Sequence, residues 1–308
     1  MITGKTFRKI LRVTSPILSK LHPEIRLLLA RSIKSPGFHT LLDPNSMKDY
    51  SKLNQKEYFK EIRFLNNTIM KVDLNDHIGF RSALYGYWDL TSFEIAKKMG
   101  FDNLIYIDIG ANVGTTAIPI GKSDVKVIAF EANPLMASHL LENLARNQIQ
   151  RMVVFPMALG DTNMEYSYQN LHTPVGNRGS GSVLKNWNAN KLENEISSCY
   201  FSTLDTSLKY LGWKLSGEEP VKLLIKIDVE GFESEVLRGA KKTIQTLRPV
   251  LIIENNPSEG LDVFYEWLEE INYRFAYFDG QLNFGVIDFK KRYENLVAIP
   301  RESSLLTT

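Results

Sequence analysis

The sequence predicts an α/β protein built on a doubly wound, mostly parallel β-sheet. Short, nearly unbroken apolar runs rich in β-branched residues recur along the chain, and most are followed by a stretch of helical periodicity. Such runs are typical of parallel strands whose two faces are both covered. A glycine-containing turn after the first run supports the same fold, because a turn of this kind joins the first strand of such sheets to the next helix.

The predicted elements alternate along the chain in the order that this fold requires. Strands are expected at 105–109, 125–130, 153–156, 223–227 and 250–253, with two later candidates at 275–278 and 296–299. Helices are expected at 115–122, 134–147, 233–243 and 259–271. We therefore place the main domain at 76–300, followed by a tail at 301–308.

One segment interrupts this pattern. Residues 161–200 are polar and rich in turn residues, and they show no clear periodicity. We expect an irregular insert there, which is either a functional loop or disordered.

Residues 1–75 are expected to form a basic, helical N-terminal extension and a linker. Apolar residues recur at helical spacing over 5–33, but Pro16 and Pro23 divide them into short helices, and 34–56 is a polar linker. Residues 1–40 carry eight basic side chains and one acidic one, whereas the rest of the chain is mildly acidic. Two interpretations stay open: the helices pack on the main domain, or residues 1–33 contact an anionic membrane surface.

The composition indicates a globular protein. Hydrophobic residues make up 44% of the chain and charged residues 23%, which excludes wholesale disorder. Cys199 is the single cysteine, so no internal disulfide can form. No apolar run has the length of a membrane span. We expect a cytoplasmic location, with peripheral attachment to the inner face of the membrane as an alternative.

The strongest local signal is the turn "YIDIGANVG" at 106–114. Gly110 permits a sharp turn, and Gly114 permits close approach of a helix to a strand. A dinucleotide fingerprint needs further glycines where this chain has Asn112 and Thr115. The first of those glycines lets a pyrophosphate reach the backbone, so the turn favours a cofactor without phosphate.

Two carboxylates accompany this turn. Asp108 lies inside it, and Glu131 ends the next strand 23 residues later, near the spacing at which an acidic residue binds ribose hydroxyls. A cofactor with a ribose, an ammonium group and a sulfonium suits this pair, and S-adenosylmethionine has all three. The alternative is that Asp108 caps a helix and Glu131 lies on the surface.

Over roughly residues 85–257, the chain resembles the FkbM family of class I methyltransferases. The segments that carry the resemblance, in the family's order, are "YIDIGANVGTTAIPIGK", "VIAFEANPLMASHLLENLARN", "FPMALGD", "TLDTSL", "LLIKIDVEGFESEVLRGA" and "RPVLIIE". The resemblance implies a Rossmann-like, seven-stranded sheet with one antiparallel strand near the edge. It also implies methyl transfer to an oxygen of a small molecule or glycan.

The same resemblance implies roles for individual positions. Asp108, Gly110, Asn112 and Gly114 would line the methionine end of the cofactor. Glu131 would hold the ribose. The residues that would flank the adenine are Ala132, Asn133, Ala158 and Leu159.

Methyl transfer to a hydroxyl needs a group that removes a proton, or a metal. Asp228, in "KIDVEGFE" (226–233), ends the fourth strand, and we expect it to orient the acceptor or act as its base. The alternative is a structural helix cap. Glu230 is expected to cap or to pair with Lys226. His172, in the insert, is a second candidate base, although a loop histidine is commonly just exposed.

The metal question stays open at this point. Glu254 and Asn255 end the fifth strand, and with Asp228 they resemble in arrangement the oxygen ligands of metal-dependent catechol O-methyltransferases. Hard oxygen ligands suit Mg²⁺. Polar strand ends are also common without any metal.

The sequence thus favours an S-adenosylmethionine-dependent O-methyltransferase acting on a sugar, a glycan or a secondary metabolite. A nucleic-acid methyltransferase is disfavoured, because the main body is acidic and shows no basic stripe with interleaved aromatic residues. A non-catalytic domain that binds S-adenosylmethionine is the third alternative.

Overall fold

We describe a computed structural model of the chain. It describes residues 21–33, 39, 42–44, 57–162, 168–173, 182–183, 195–211, 222–255, 261–284, 287–288 and 293–306. The strands are β1 (Phe59–Phe64), β2 (Thr68–Asp73), β3 (Leu104–Ile109), β4 (Lys126–Phe130), β5 (Met152–Phe155), β6 (Ala158–Leu159), β7 (Tyr168–Thr173), β8 (Ser182–Val183), β9 (Glu195–Ser202), β10 (Lys222–Ile227), β11 (Val250–Asn255), β12 (Tyr273–Phe278), β13 (Leu282–Asn283) and β14 (Tyr293–Pro300). The α-helices are α1 (Pro23–Ser32), α2 (His77–Tyr85), α3 (Thr91–Met99), α4 (Ala117–Gly121), α5 (Pro134–Arg146), α6 (Leu204–Tyr210), α7 (Glu233–Gly239), α8 (Lys241–Leu247) and α9 (Asp262–Glu270).

The central sheet has the strand order β13-β12-β14-β11-β10-β3-β4-β5. The five strands from β11 to β5 pair in parallel, and β14 runs antiparallel between β11 and β12. The predicted α/β class with a doubly wound, mostly parallel sheet is therefore confirmed. Seven strands form the expected sheet, and the two-residue strand β13 adds an eighth at one edge.

Alternation along the parallel strand β3 explains why its sequence is apolar at every position but one. Tyr106 packs into the hydrophobic cluster on one face of the sheet, whereas Ile107 and Ile109 pack into the cluster on the other. Both faces exclude water, so no position within the strand is free to be polar. Asp108, on the same face as Tyr106, is the exception, and it is fully buried.

Residues 57–75 differ from the prediction of a helical extension and linker. Strands β1 and β2 form an antiparallel hairpin, with Asn66 and Asn67 at positive φ in its turn. Ile62 and Phe64 are buried, while Glu61 and Arg63, which alternate with them, are exposed. This is strand alternation rather than helical periodicity. The hairpin lies against α5, where Asn143 and Asn147 bond to the backbone of β2.

The expectation of an irregular insert at 161–200 is also wrong in part. Strand β9 pairs with both β7 and β6, so this part of the chain forms a second, four-stranded sheet with the order β6-β9-β7-β8. Backbone pairing forms these strands despite their polar sequence. Residues 163–167, 174–181 and 184–194 lie outside the described residues.

The described part of the N-terminal arm is α1. Arg26 is fully buried and donates to Asn75 at 2.5 Å, and Arg31 donates to the carbonyl of Ala83 at 2.7 Å. Two of the arm's basic side chains therefore bond to the main body. Residues 1–20 lie outside the described part. Among the helices that the structure describes, none combines the length and the apolar character needed to cross a bilayer.

Candidate functional site

The turn after β3 is built so that only glycine fits at Gly110. Its φ is +88°, and a Cβ there would lie 1.9 Å from the carbonyl oxygen of Asp228. The backbone N–H groups of Gly110 and Ala111 both donate to the carbonyl of Phe130. The turn thus lies against the ends of β10 and β4 and brings three strand ends together.

Gly114 allows the following helix to approach closely. A Cβ at this position, where φ is +92°, would lie 2.4 Å from Leu140 of α5 and 2.7 Å from Ile118 of α4. Asn112, between the two glycines, also has positive φ, and its side chain accepts from the N–H of Val113 at 2.7 Å. Asn112 therefore stabilises the turn with its own side chain.

Glu131 is held firmly at the end of β4. One carboxylate oxygen accepts from the N–H of Asn112 and the other from the N–H of Asn133, both at 2.7 Å. The residue is only 8% exposed, and burial raises its pKa to about 7, while the two backbone hydrogen bonds oppose that rise. Each oxygen has two lone pairs, so each can accept one more hydrogen bond.

A pocket opens at these strand ends, which we call the strand-end pocket. Together with its solvent-filled mouth, the pocket encloses about 650 Å³. Of the predicted site residues, those that line it are Gly110, Glu131, Ala132, Asn133, Ala158, Leu159 and Asp228. The structure thus brings together residues from four separate segments of the chain.

The apolar walls of the strand-end pocket include residues that the sequence did not single out. Phe201, from β9, and Phe232, before α7, have ring centroids 6.0 Å apart, and Met157 lies on the same lining. Phe232 and Met157 belong to segments already recognised as motifs, so their position relative to the strand ends was a usable signal. Phe201 directly follows the segment expected to be irregular, belongs to none of the recognised motifs, and gave no such signal.

Asp108 lies beneath the turn and not on the lining of this pocket. It is fully buried; its Oδ2 accepts from the hydroxyl of Thr116, and its Oδ1 has no hydrogen-bond partner. Burial raises the pKa of Asp108, and the Lys226 ammonium opposes this. A buried carboxylate oxygen without a donor is costly, so it marks a place where a donor is expected.

Lys226 and Asp228 form a buried ion pair at the end of β10. Nζ of Lys226 lies 2.6 Å from Oδ2 of Asp228, and their side chains are 4% and 29% exposed. Burial favours the neutral form of Asp228, but the ammonium next to it holds the pKa of Asp228 below its ordinary value. Burial also disfavours the charged lysine, yet Asp228, Asp108 and Asp89 together raise its pKa. Both partners are therefore ionised at neutral pH.

Glu233 caps the turn into α7: its carboxylate oxygens accept from the N–H groups of Val229 and Gly231 at 2.8 and 3.1 Å. Lys226 pairs with Asp228. Because Glu233 satisfies the turn, the Asp228 carboxylate is left to face the strand-end pocket.

Glu254, at the end of β11, is next to Asp228 and shares a hydrogen bond with it. Burial raises the pKa of Glu254 to about 8, and the charges of Asp228 and Glu230 act in the same direction. At neutral pH, Glu254 therefore carries a proton, which it donates to the ionised Asp228.

The donors at these strand ends do not fit a magnesium ion. Asn255 is 1% exposed, and its Oδ1 accepts from the hydroxyl of Tyr265 at 2.7 Å, so this amide points into the core. The Lys226 ammonium, 2.6 Å from Oδ2 of Asp228, already supplies a positive charge at this carboxylate. Within the described residues, no group of three or more histidine, cysteine or acidic side chains is arranged to hold a metal.

His172 lies in strand β7, opposite Ser182 and Ile196. It therefore belongs to the small sheet, which adjoins the strand-end pocket through β6. The position of its side chain lies outside what the structure describes, so the structure does not test its assignment as a second base.

The methyltransferase FkbM domain family model matches residues 108–275, more than half of the chain. The hexuronic acid methyltransferase AglP of Haloferax volcanii is 29% identical over 145 residues, which cover 47% of this chain and 53% of that protein. The chain thus matches about half the length of this curated relative.

Two solved structures of similar proteins have TM-scores below 0.5. One is methyltransferase FkbM from Methylobacillus flagellatus, at 17% identity and a TM-score of 0.38, over 63% of this chain and 42% of that one. The other is an O-methyltransferase, described as putative, from Klebsiella pneumoniae, at 14% identity and a TM-score of 0.38, over 67% and 76% of the two chains.

Proposed function

Because this chain belongs to the FkbM family of methyltransferases, we propose that it transfers a methyl group from S-adenosylmethionine to a hydroxyl oxygen of a sugar or glycan. The acceptor class includes hydroxylated secondary metabolites, and a uronic acid is the first acceptor to test.

The observation that carries the cofactor assignment is the Glu131 carboxylate. It lies in the strand-end pocket with both oxygens fixed by backbone N–H groups, and each oxygen keeps a lone pair for a further donor. Two neighbouring hydroxyl groups, as on a ribose, match this arrangement. Ala132, Asn133, Ala158 and Leu159 form the adjoining lining and suit an adenine ring. Asn112 takes the place where a pyrophosphate would require glycine.

Asp108 supports the same assignment at the other end of the cofactor. Its Oδ1 is buried without a donor beneath the Gly110 turn, and an ammonium group, either directly or through an ordered water, would supply one. In this proposal Asp108, Gly110, Asn112 and Gly114 form the methionine end. Gly110 and Gly114 act there through their shape, because any side chain would clash.

The chemistry requires little from the protein beyond geometry and the removal of one proton. When bound, the cofactor supplies an activated methyl group on a sulfonium. This chain's residues have to hold an acceptor hydroxyl in line with that group at about 3 Å. Asp228 lines the same pocket, is ionised, and is placed to accept a hydrogen bond from the hydroxyl. We assign it the orienting role, with His172 as a second candidate base.

Support for a sugar acceptor comes from the relative in Haloferax volcanii, which is described as a hexuronic acid methyltransferase. Two alternatives remain testable beside it. A nucleic-acid methyltransferase predicts a steep loss of activity with added salt, because phosphate contacts release counterions. A non-catalytic cofactor-binding domain predicts binding without turnover on any acceptor.

We also propose a peripheral role for residues 1–33, at the inner face of the membrane of a cytoplasmic protein. Arg26 and Arg31 bond within the protein, so the remaining basic residues of the arm would carry the contact. Removing residues 1–20 should abolish binding to anionic liposomes and leave cofactor affinity intact. Equal liposome binding by the two forms would contradict this role.

Calorimetric titration with S-adenosylhomocysteine tests the cofactor assignment. The wild type should bind, and Asp108→Ala and Glu131→Gln should each bind at least about tenfold more weakly. Glu142→Gln is a matched control, because Glu142 is 44% exposed on the neighbouring helix α5. Transfer of a labelled methyl group to the methyl glycoside of glucuronic acid then tests the acceptor. Wild-type protein that binds NAD and not S-adenosylhomocysteine would refute the proposal.

A further inference from the structure

Four carboxylates stand at the ends of four adjacent parallel strands. Their order across the sheet is Glu131 on β4, Asp108 on β3, Asp228 on β10 and Glu254 on β11. By register, Gly110 lies between Glu131 and Asp228, whereas Asp108 lies two residues earlier on β3, level with Lys226. The lining of the strand-end pocket includes Glu131 and Asp228. Glu254 lies one strand beyond Asp228, on the side away from Glu131.

Register places Glu254 next to Asp228 on the same face of the sheet. Lys226 pairs with Ile252, and Ile227 with Ile253, so the next pair in register is Asp228 with Glu254. A β-bulge between Ile253 and Asn255 bends β11 at this point. The side chain of Asn255 points into the core, where it bonds to Tyr265. Glu254 is therefore the polar side chain at this strand end that faces Asp228.

Asp228 by itself is a weak proton acceptor. The buried ammonium at 2.6 Å stabilises its ionised form and holds its pKa down. A proton taken from a hydroxyl would have to displace that ion pair. Efficient general bases instead have a pKa near the working pH, and burial raises the pKa of Glu254 to about 8.

We propose that Glu254 is the final proton acceptor of the methyl transfer, with Asp228 orienting the hydroxyl and Lys226 holding Asp228 ionised. This inference rests on the proposed function. In the transfer, the bond between sulfur and the methyl carbon breaks and its electron pair stays on sulfur. The acceptor oxygen forms the new bond to carbon, and the proton of the hydroxyl ends on the Glu254 carboxylate.

The charged groups around Glu254 explain why its carboxyl group is protonated at neutral pH. Asp228 and Glu230 face it with negative charge, and Lys226 is the nearby ammonium. Behind Lys226 lie Asp108 and Asp89, which share that ammonium. Two tyrosines lie near the neighbouring residue Asn255. The hydroxyl of Tyr265, on α9, donates to Asn255, and Tyr293, on β14, is the strand-pairing partner of Asn255. Glu254 thus has several acidic neighbours and one shared cation, which favours its protonated form.

The variant Glu254→Gln separates a chemical from a structural role. Its amide still donates a hydrogen bond to Asp228 but cannot take a proton. Wild-type kcat on the methyl glycoside of glucuronic acid should rise with pH and level off above about pH 8, because the ionised base is the active form. Glu254→Gln should lose at least about 10²-fold in kcat and lose this pH dependence. Glu254→Asp should recover part of the rate, and Glu266→Gln, an exposed carboxyl on α9, should behave as wild type.

Two further measurements keep the outcomes distinguishable. Affinity for S-adenosylhomocysteine should change less than about twofold in Glu254→Gln; loss of binding in the wild type would instead contradict the proposed function. Infrared difference spectra between acidic and alkaline pH need no acceptor. They should show a protonated carboxyl band that titrates near pH 8 in the wild type and is missing in Glu254→Gln. An unchanged band, or a variant that keeps the wild-type rate and pH profile, would overturn the inference.

Discussion

Replacing Lys226 by methionine should show how much the buried ammonium group at the strand ends contributes to the free energy of unfolding. Methionine has nearly the length of lysine and keeps the packing of the side-chain stem, so the change removes mainly the charge. Lys226 is surrounded by Asp228 at 2.6 Å and, further away, by Asp108 and Asp89. In the variant these carboxylates lose the ammonium that offsets their charges.

The cost follows from burial. Breaking a buried ion pair by removing one partner costs about 3–5 kcal/mol. Asp228 is 29% exposed, so water screens part of its charge, and we expect the lower end, about 3 kcal/mol, in alkaline solution. In the wild type, the lowered pKa of Asp228 contributes stability that is present above the unfolded pKa and is lost as the pH falls through the folded one. In the variant the ammonium is gone and burial alone acts on Asp228, which raises its pKa. The stability defect of the variant should therefore shrink as the pH falls and Asp228 takes up a proton.

Urea unfolding of the cofactor-free protein at about pH 8 and about pH 5.5 measures this difference. Lys60→Met is the matched control, because Lys60 pairs with Glu24 at 2.8 Å while their side chains are 33% and 46% exposed. Such a surface pair contributes less than about 1 kcal/mol. A loss below about 1 kcal/mol for Lys226→Met at both pH values would refute the electrostatic argument.

Three further predictions concern the cofactor turn. In the wild type, the folded pKa of Glu131 is raised to about 7, so its stabilising contribution is lost as the pH rises through that value. Glu131→Gln should therefore reduce the fall in unfolding free energy between about pH 5 and pH 8. A slope equal to that of the wild type would contradict this. Gly110→Ala should abolish folding, as followed by thermal unfolding, or S-adenosylhomocysteine binding, as followed by calorimetric titration. Gly86→Ala, at a similar φ of +79° but with no atom within 4 Å, should cost only about 1–2 kcal/mol of backbone strain in thermal unfolding. Asn143→Ala should lower the unfolding free energy by about 2–4 kcal/mol, because it leaves the N–H of Lys71 and the carbonyl of Val113 without their buried partner. As a control, Gln150→Ala, at an exposed position, should change the unfolding free energy by less than about 0.5 kcal/mol.

The central sheet could be predicted because its signal is local. Strands such as β3 and β4 are apolar at all but one position, since both of their faces are buried. The hairpin of β1 and β2 gave a weaker signal, because one face is exposed and charged residues alternate with apolar ones over only six positions per strand. Strands β7 to β9 are polar and form through backbone pairing, which composition does not reveal.

The same distinction applies to side chains. Positions at strand ends follow from topology, so the sequence was enough to place Glu131 and Asp228 in one crevice. His139 of α5 is only 9% exposed, because Phe59 of the hairpin that the sequence did not predict lies over it, with ring centroids 4.8 Å apart. The Lys226–Asp228 pair was missed although its members lie two residues apart in a strand, a spacing that places both on one face.

The position of β14 has a consequence for how this protein is made. This strand, Tyr293–Pro300, lies between β11 and β12, so it is an interior strand of the sheet, although it is translated after both of its neighbours and lies beyond the family match. Until β14 has been made, β11 has an unpaired edge that is apolar from Val250 to Ile253, and such an edge favours pairing with other nascent chains. We therefore expect the sheet to be completed only after β14 has been translated, and a chaperone to shield the edge of β11 until then.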